Sequence, residues 1–112
     1  MQKFEYRCPR FAVDLPVEFT IEQSTLAGRC KDISMEGMRL ELSQPLPADA
    51  CGTVVLSYQD RPLPLSVRVA HVGESYDGME FIYRSEGERE AVARLIASLT
   101  APAKRPRLML VN

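Results

Sequence analysis

The most constraining feature of this 112-residue chain is a repeated two-residue alternation of apolar and polar side chains. A strand points successive side chains to opposite faces, so this period marks segments with one buried face. Val17, Phe19 and Ile21 alternate with Glu18, Thr20 and Glu22, and Met38, Leu40 and Leu42 alternate with Arg39, Glu41 and Ser43. Val54, Leu56 and Tyr58 form a third stripe, Leu63, Leu65, Val67 and Val69 a fourth, and Met79, Phe81 and Tyr83 a fifth. The run Leu26–Ile33 has strand length with less regular alternation, and it is expected to pair with Met38–Ser43 across the turn between them. Turn residues punctuate the stripes: Gln44-Pro45-Leu46-Pro47-Ala48-Asp49 reads as a crossover, Gln59-Asp60-Arg61-Pro62 as a tight reversal, and Gly73–Gly78 as a hairpin loop. Pro64 inside the fourth stripe implies an edge position or a bulge, because proline cannot donate to a ladder.

The period changes after Ser85. Ser85-Glu86-Gly87-Glu88 has the form of a helix cap with acids in the first turn, and Val92, Leu95, Ile96 and Leu99 then recur at helical spacing. The helix is expected to end near Thr100-Ala101-Pro102. Six short strands and one late helix imply a mainly β fold: a small six-stranded antiparallel barrel plugged or flanked by a C-terminal α-helix. Residues 1–13 read as an N-terminal arm, 14–100 as the barrel with its helix, and 101–112 as a tail. That tail, Lys104-Arg105-Pro106-Arg107 followed by Leu108-Met109-Leu110-Val111, reads as a loose terminus or as a hook docking on the barrel or a partner.

Composition narrows the function. Fourteen Lys and Arg against fifteen Asp and Glu give a net charge of −1, which argues against general nucleic-acid binding and leaves anion recognition as a local matter. No apolar run has membrane-span length and the first residues lack a signal pattern, so a cytoplasmic protein is expected. Cys8, Cys30 and Cys51 are odd in number and lack metal spacing, so reduced thiols are the default. His71, the single histidine, has no nucleophile at a recognisable spacing and reads as structural or surface. With no triad, acid/base carboxylate pair or metal cluster in the sequence, the expectation is a non-enzyme without a cofactor.

Two segments carry recognition chemistry. Arg7-Cys8-Pro9-Arg10 brings two guanidinium forks just ahead of the first strand. Their donors match phosphate oxygens or the O6/N7 edge of guanine. Asp32-Ile33-Ser34-Met35-Glu36-Gly37, spaced D-x-S-x-x-G, supplies an acceptor, a hydroxyl and a glycine that permits close backbone approach. Together they form the halves of a pocket for a guanine-bearing phosphodiester. Arg29, Lys31 and Arg39 surround the turn and read as a solvated strand face.

These segments, with Asp77-Gly78-Met79-Glu80-Phe81 as a third element, resemble the PilZ domain family, the bacterial receptor module for cyclic di-GMP. The resemblance implies a PilZ-like barrel in which Arg7 and Arg10 clasp the phosphates and guanines while Asp32 accepts from guanine N–H groups. Ser34 stands beside it, Gly37 allows approach, and Gly78 belongs to the G-[hydrophobic]-x-F strand. The family's arginine motif is R-x-x-x-R; here Tyr6 occupies the first arginine position and Arg7 follows it. Arg7 is then expected to reach the ligand from the neighbouring position, with Tyr6 stacking on a base. The implied function is bacterial second-messenger signalling through cyclic di-GMP binding, with the arm closing over the nucleotide at the barrel mouth and the signal passing to a downstream protein partner. The alternative implied by Tyr6 is a protein-interaction adaptor that binds no nucleotide, with the tail and the Met79–Tyr83 strand as partner surfaces.

Overall fold

A computed structural model describes residues 8–100. Its elements are β1 (Phe11–Ile21), β2 (Ser24–Ile33), β3 (Gly37–Leu42), β4 (Cys51–Tyr58), β5 (Arg61–Val72), β6 (Asp77–Phe81) and α1 (Glu86–Thr100). The strands are antiparallel and close into a barrel in the order β1-β2-β3-β6-β5-β4. The expected six-stranded barrel with a late helix is therefore present. Closure removes the free sheet edges that would otherwise template aggregation.

Alternation sets which side chains fill the interior. Phe19, Leu40, Val54, Leu56, Val67 and Val69 are fully buried, and Val92 and Leu95 bring α1 into the same cluster. Each fully buried aliphatic or aromatic side chain contributes about 1.5–3 kcal/mol. The irregular alternation in Leu26–Ile33 has a local cause: the β2–β3 register slips between Cys30 and Asp32, which places Cys30 and Ile33 both inside. Leu46 is buried and pins the crossover from β3 to β4 against the core.

The hairpins are tight. Gln59 and Asp60 link β4 to β5, and both have left-handed φ, 53° and 62°, as a two-residue turn matching strand twist requires. Pro64 pairs with Val55 of β4, but β5 meets β6 only from Val67 onward, so the proline lies where the strand has a single neighbour. Ser85 caps α1: its Oγ accepts from the Glu88 amide at 3.2 Å, and Glu88 Oε1 accepts from the Arg84 amide at 2.9 Å.

Two boundaries differ from the sequence reading. Phe11 and Ala12 already pair with Ile33 and Asp32, so the end of the arm is a strand. Asp77 and Gly78 belong to β6 rather than to the preceding loop, because they pair with Leu40 and Arg39. Met79 and Phe81 are buried, so β6 offers a partner only its outer residues such as Glu80. The tail lies outside the described residues.

Candidate functional site

The turn between β2 and β3 is built by its own side chains. Ser34 is fully buried; its amide donates to the Gly37 carbonyl at 2.8 Å, and its Oγ accepts from the Glu36 amide at 3.0 Å. A hydroxyl used in this way stabilises the turn in place of a longer ladder. Two further bonds fasten the turn to the next part of the chain. Phe81 N donates to the Glu36 carbonyl at 2.9 Å, and Tyr83 Oη donates to the Met35 carbonyl at 2.7 Å. Gly37 is required by packing, because a Cβ there would run into the Met79 carbonyl oxygen of β6.

Asp32, at the start of this turn, is held between two arginines. Arg10 NH2 binds Oδ1, and Arg39 NH2 binds Oδ2 at 2.8 Å. The Asp32 side chain is only 14% exposed and that of Arg10 18%, so this pair is largely shielded from water, while Arg39 is 42% exposed. Arg39 stands directly opposite Asp32 in the β2–β3 register and lies over the Tyr76 ring, 5.3 Å from its centroid. The carboxylate and the aromatic face together hold the guanidinium in one plane.

Beside this cluster a cavity of about 860 Å³ runs over the outer face of β3, β6 and β5. Its size falls within the roughly 300–1,000 Å³ of small-molecule sites. Arg10, Gly37, Arg39, Arg68, Tyr76 and Gly78 contribute to its wall, as do His71 and Glu36. The barrel pairing arranges them in rows, Arg39–Gly78–His71 and Gly37–Glu80–Arg68, across adjacent strands. Arg68 is bound by Glu80 Oε1 at 2.6 Å and by Asp49 Oδ1 at 2.7 Å, and the Glu80 carboxylate holds its proton more tightly than in a free arginine. A second hollow, of about 670 Å³, lies over Pro16, Gly28 and Val55; it takes in Arg29 but no residue of the arginine segment or the D-x-S-x-x-G turn.

Arg10, Gly37 and Gly78 thus meet at one cavity, Asp32 anchors its arginines from behind, and Ser34 supports the turn from within. Tyr6 and Arg7 lie outside the described residues. Arg39, expected as a solvated strand face, is part-exposed and is also the second clamp on Asp32. Its signal was present in the sequence, because a hairpin across D-x-S-x-x-G puts Asp32 and Arg39 face to face. Tyr76, His71 and Arg68 carry no local signal, because only the β5–β6 pairing brings them to this face. Arg29 and Lys31 turn instead to Asp14, at 2.7 and 3.3 Å, and the Arg29 hydrogen bond holds that carboxyl below its usual range. Beneath the site Cys30 Sγ donates to the Asp32 carbonyl at 3.3 Å, and burial pushes the thiol up to about 12. Among the described residues no group of His, Cys, Asp and Glu could hold a metal ion, and no helix is long and apolar enough to cross a membrane.

None of the curated proteins matches the sequence. Three solved structures share the fold. The PilZ domain of CeSA from a cellulose-synthesizing bacterium aligns with TM-score 0.73 and 21% identity over 81% of this chain and 97% of its own. The Bacillus subtilis inhibitor of motility MotI/DgrA aligns with TM-score 0.67 and 12% identity over 83% of this chain and 49% of its own. The K. pneumonia MrkH–c-di-GMP complex aligns with TM-score 0.74 and 22% identity over 94% of this chain and 56% of its own. The chain therefore spans about half the length of the latter two. The PilZ domain family itself matches the sequence over residues 5–98, which takes in the arginine segment, the D-x-S-x-x-G turn, the whole barrel and most of α1, and the chain belongs to that family.

Proposed function

We propose that this protein is a cyclic di-GMP receptor, a binding module rather than an enzyme, acting in the cytoplasm of a bacterium and passing its signal to a protein partner. The observation that carries the reading is the Asp32 carboxylate gripped by Arg10 and Arg39 at the edge of an 860 Å³ cavity. Family membership and the likeness to MrkH, whose structure contains c-di-GMP, support the choice of ligand.

The chemistry is an exchange of partners. Guanine offers adjacent N1–H and N2–H donors that fit a carboxylate, and the phosphodiester offers oxygens that fit guanidinium forks. On binding, the phosphates take up the Arg10 donors now spent on Asp32 Oδ1, and that oxygen takes up the guanine edge while Arg39 stays on Oδ2. Each bond given up is replaced by another, so no buried charge is stranded. Ser34 and Gly37 act through the turn, keeping Asp32 in place. Arg10 stands where the chain enters β1, and Arg7 and Tyr6 just before it would complete an arm that closes over the nucleotide. Ordering an arm costs entropy, so micromolar affinity, about −8 kcal/mol, is expected.

Calorimetric titration with cyclic di-GMP tests this. Saturable binding should be lost in Arg10→Ala and Asp32→Ala, each costing about 2–5 kcal/mol, or roughly 30-fold and more. No heat and no thermal stabilisation of the unaltered protein would refute the receptor. The adaptor reading, which rests on Tyr6 in the arginine position, would then lead.

A further inference from the structure

Gly78 is the one site-lining glycine whose bareness the fold does not need. Its φ is not left-handed, and an added Cβ would meet only the His71 Cβ, at an ordinary 3.4 Å. Gly37 nearby is the opposite case, since β6 backbone fills the space its side chain would take. A glycine inside a strand sacrifices packing and chain stiffness, so one that packing does not demand leaves open space of use to something else.

What borders that space gives it chemical character. Arg39 of β3 and His71 of β5 are the register partners of Gly78 on either side. Arg39 is pinned by Asp32 at 2.8 Å and backed by the Tyr76 ring at 5.3 Å, so its guanidinium is set before any ligand arrives. All four residues line the cavity. A bare backbone floor between a planar, pre-ordered guanidinium and an imidazole suits a flat heteroaromatic ring better than a sugar or a phosphate. The Arg39 fork matches O6 and N7 of guanine.

We propose that the row Arg39–Gly78–His71, backed by Tyr76, is a seat for one guanine ring of the ligand, with Gly78 as its floor. This rests on the cyclic di-GMP reading above. It adds a specificity-determining surface on β5 and β6 to the arginine segment and the Asp32 turn. Tyr76 is a positioning residue, acting through Arg39.

The test is calorimetric titration of the full chain with cyclic di-GMP, paired with thermal melting. Gly78→Ala should weaken binding about tenfold and Gly78→Val more, because each added methyl occupies the floor of the seat. Neither should lower the melting temperature. Tyr76→Ala should weaken binding about tenfold, and Tyr76→Phe, which keeps the ring under Arg39, should restore it. A folded Gly78→Val that binds within about twofold of the unaltered protein overturns the seat. Should that variant fail to fold, Gly78→Ala decides by the same criterion. Binding by the unaltered protein with indifferent variants overturns the seat alone, and no binding by the unaltered protein overturns the receptor and the seat together.

Discussion

Gly37 and Gly78 lie near each other on paired strands, yet they should respond to the same substitution in opposite ways. In Gly37→Ala the new methyl falls against the Met79 carbonyl oxygen, with Met79 C at 3.0 Å and Glu80 Cα at 3.2 Å. All three are backbone atoms, so no side chain can rotate away; β3 and β6 must separate. The two strands share four registered pairs, from Gly37↔Glu80 to Leu40↔Asp77, and this seam closes the barrel. Losing two ladder hydrogen bonds costs about 2 kcal/mol at a net 1 kcal/mol each. Overpacking beside buried Met38 and Met79 adds about 1–3 kcal/mol. The sum, about 3–5 kcal/mol, takes up much of a typical domain stability of 5–15 kcal/mol. Gly78→Ala, by contrast, should be neutral or stabilise by about 0.5–1 kcal/mol through reduced chain entropy in the unfolded state. Urea unfolding followed by circular dichroism reads both. A Gly37→Ala protein within about 1 kcal/mol of the parent would show that β6 yields at this seam, and the packing argument for the turn would fail.

Other expectations follow from single features of the fold. Asp60→Gly relieves a left-handed residue in the β4–β5 turn, where φ is 62°, and should raise the melting temperature by about 4–8 °C for each kcal/mol gained. Ser85→Ala removes the acceptor for the Glu88 amide and should cost about 1 kcal/mol in chemical unfolding. Burial raises both Cys30, from an ordinary 9.0, and Tyr83, from 10.0, to about 12. Each group is neutral in the folded state where the unfolded chain has begun to ionise, so its contribution is complete below pH 9 to 10 and drains away as pH rises toward 12. Stability measured against pH should fall across that window, and Cys30→Ala should flatten its lower part; a flat curve in the parent would contradict the burial of both groups.

Much of this architecture was readable from period alone. Stripes such as Val17-Phe19-Ile21 and Leu63-Leu65-Val67-Val69 announce strands because a half-buried sheet imposes a two-residue repeat; all but the end residues Ile21 and Leu63, which are half-buried, are buried. The helix was announced by Ser85 and by Val92 and Leu95. The site was readable only where its parts are local. Arg10 and the Asp32–Gly37 turn were found because each is a short motif. Arg39 reads as a solvated strand residue and is 42% exposed, but its pairing with Asp32 emerges only once its cross-strand neighbour is known. Ser34 is expected beside the ligand from its motif; the turn role of its hydroxyl, which accepts from the Glu36 amide, is what the structure adds.

The amino-acid order by itself determined that this chain makes six strands and a helix, that the interior is aliphatic, and that guanidinium and carboxylate groups flank the first two strands. These are consequences of local period, turn chemistry and short motifs, which act over a few residues. Barrel closure decided the rest. Pairing β6 with β3 brings Arg39 into one row with Gly78 and His71, some forty and thirty positions further along the chain, a placement that no nearby sequence encodes. It also separates two glycines that look alike on paper. Contact with the opposing backbone makes Gly37 a necessity of the barrel wall, while the space above Gly78 remains open to a ligand.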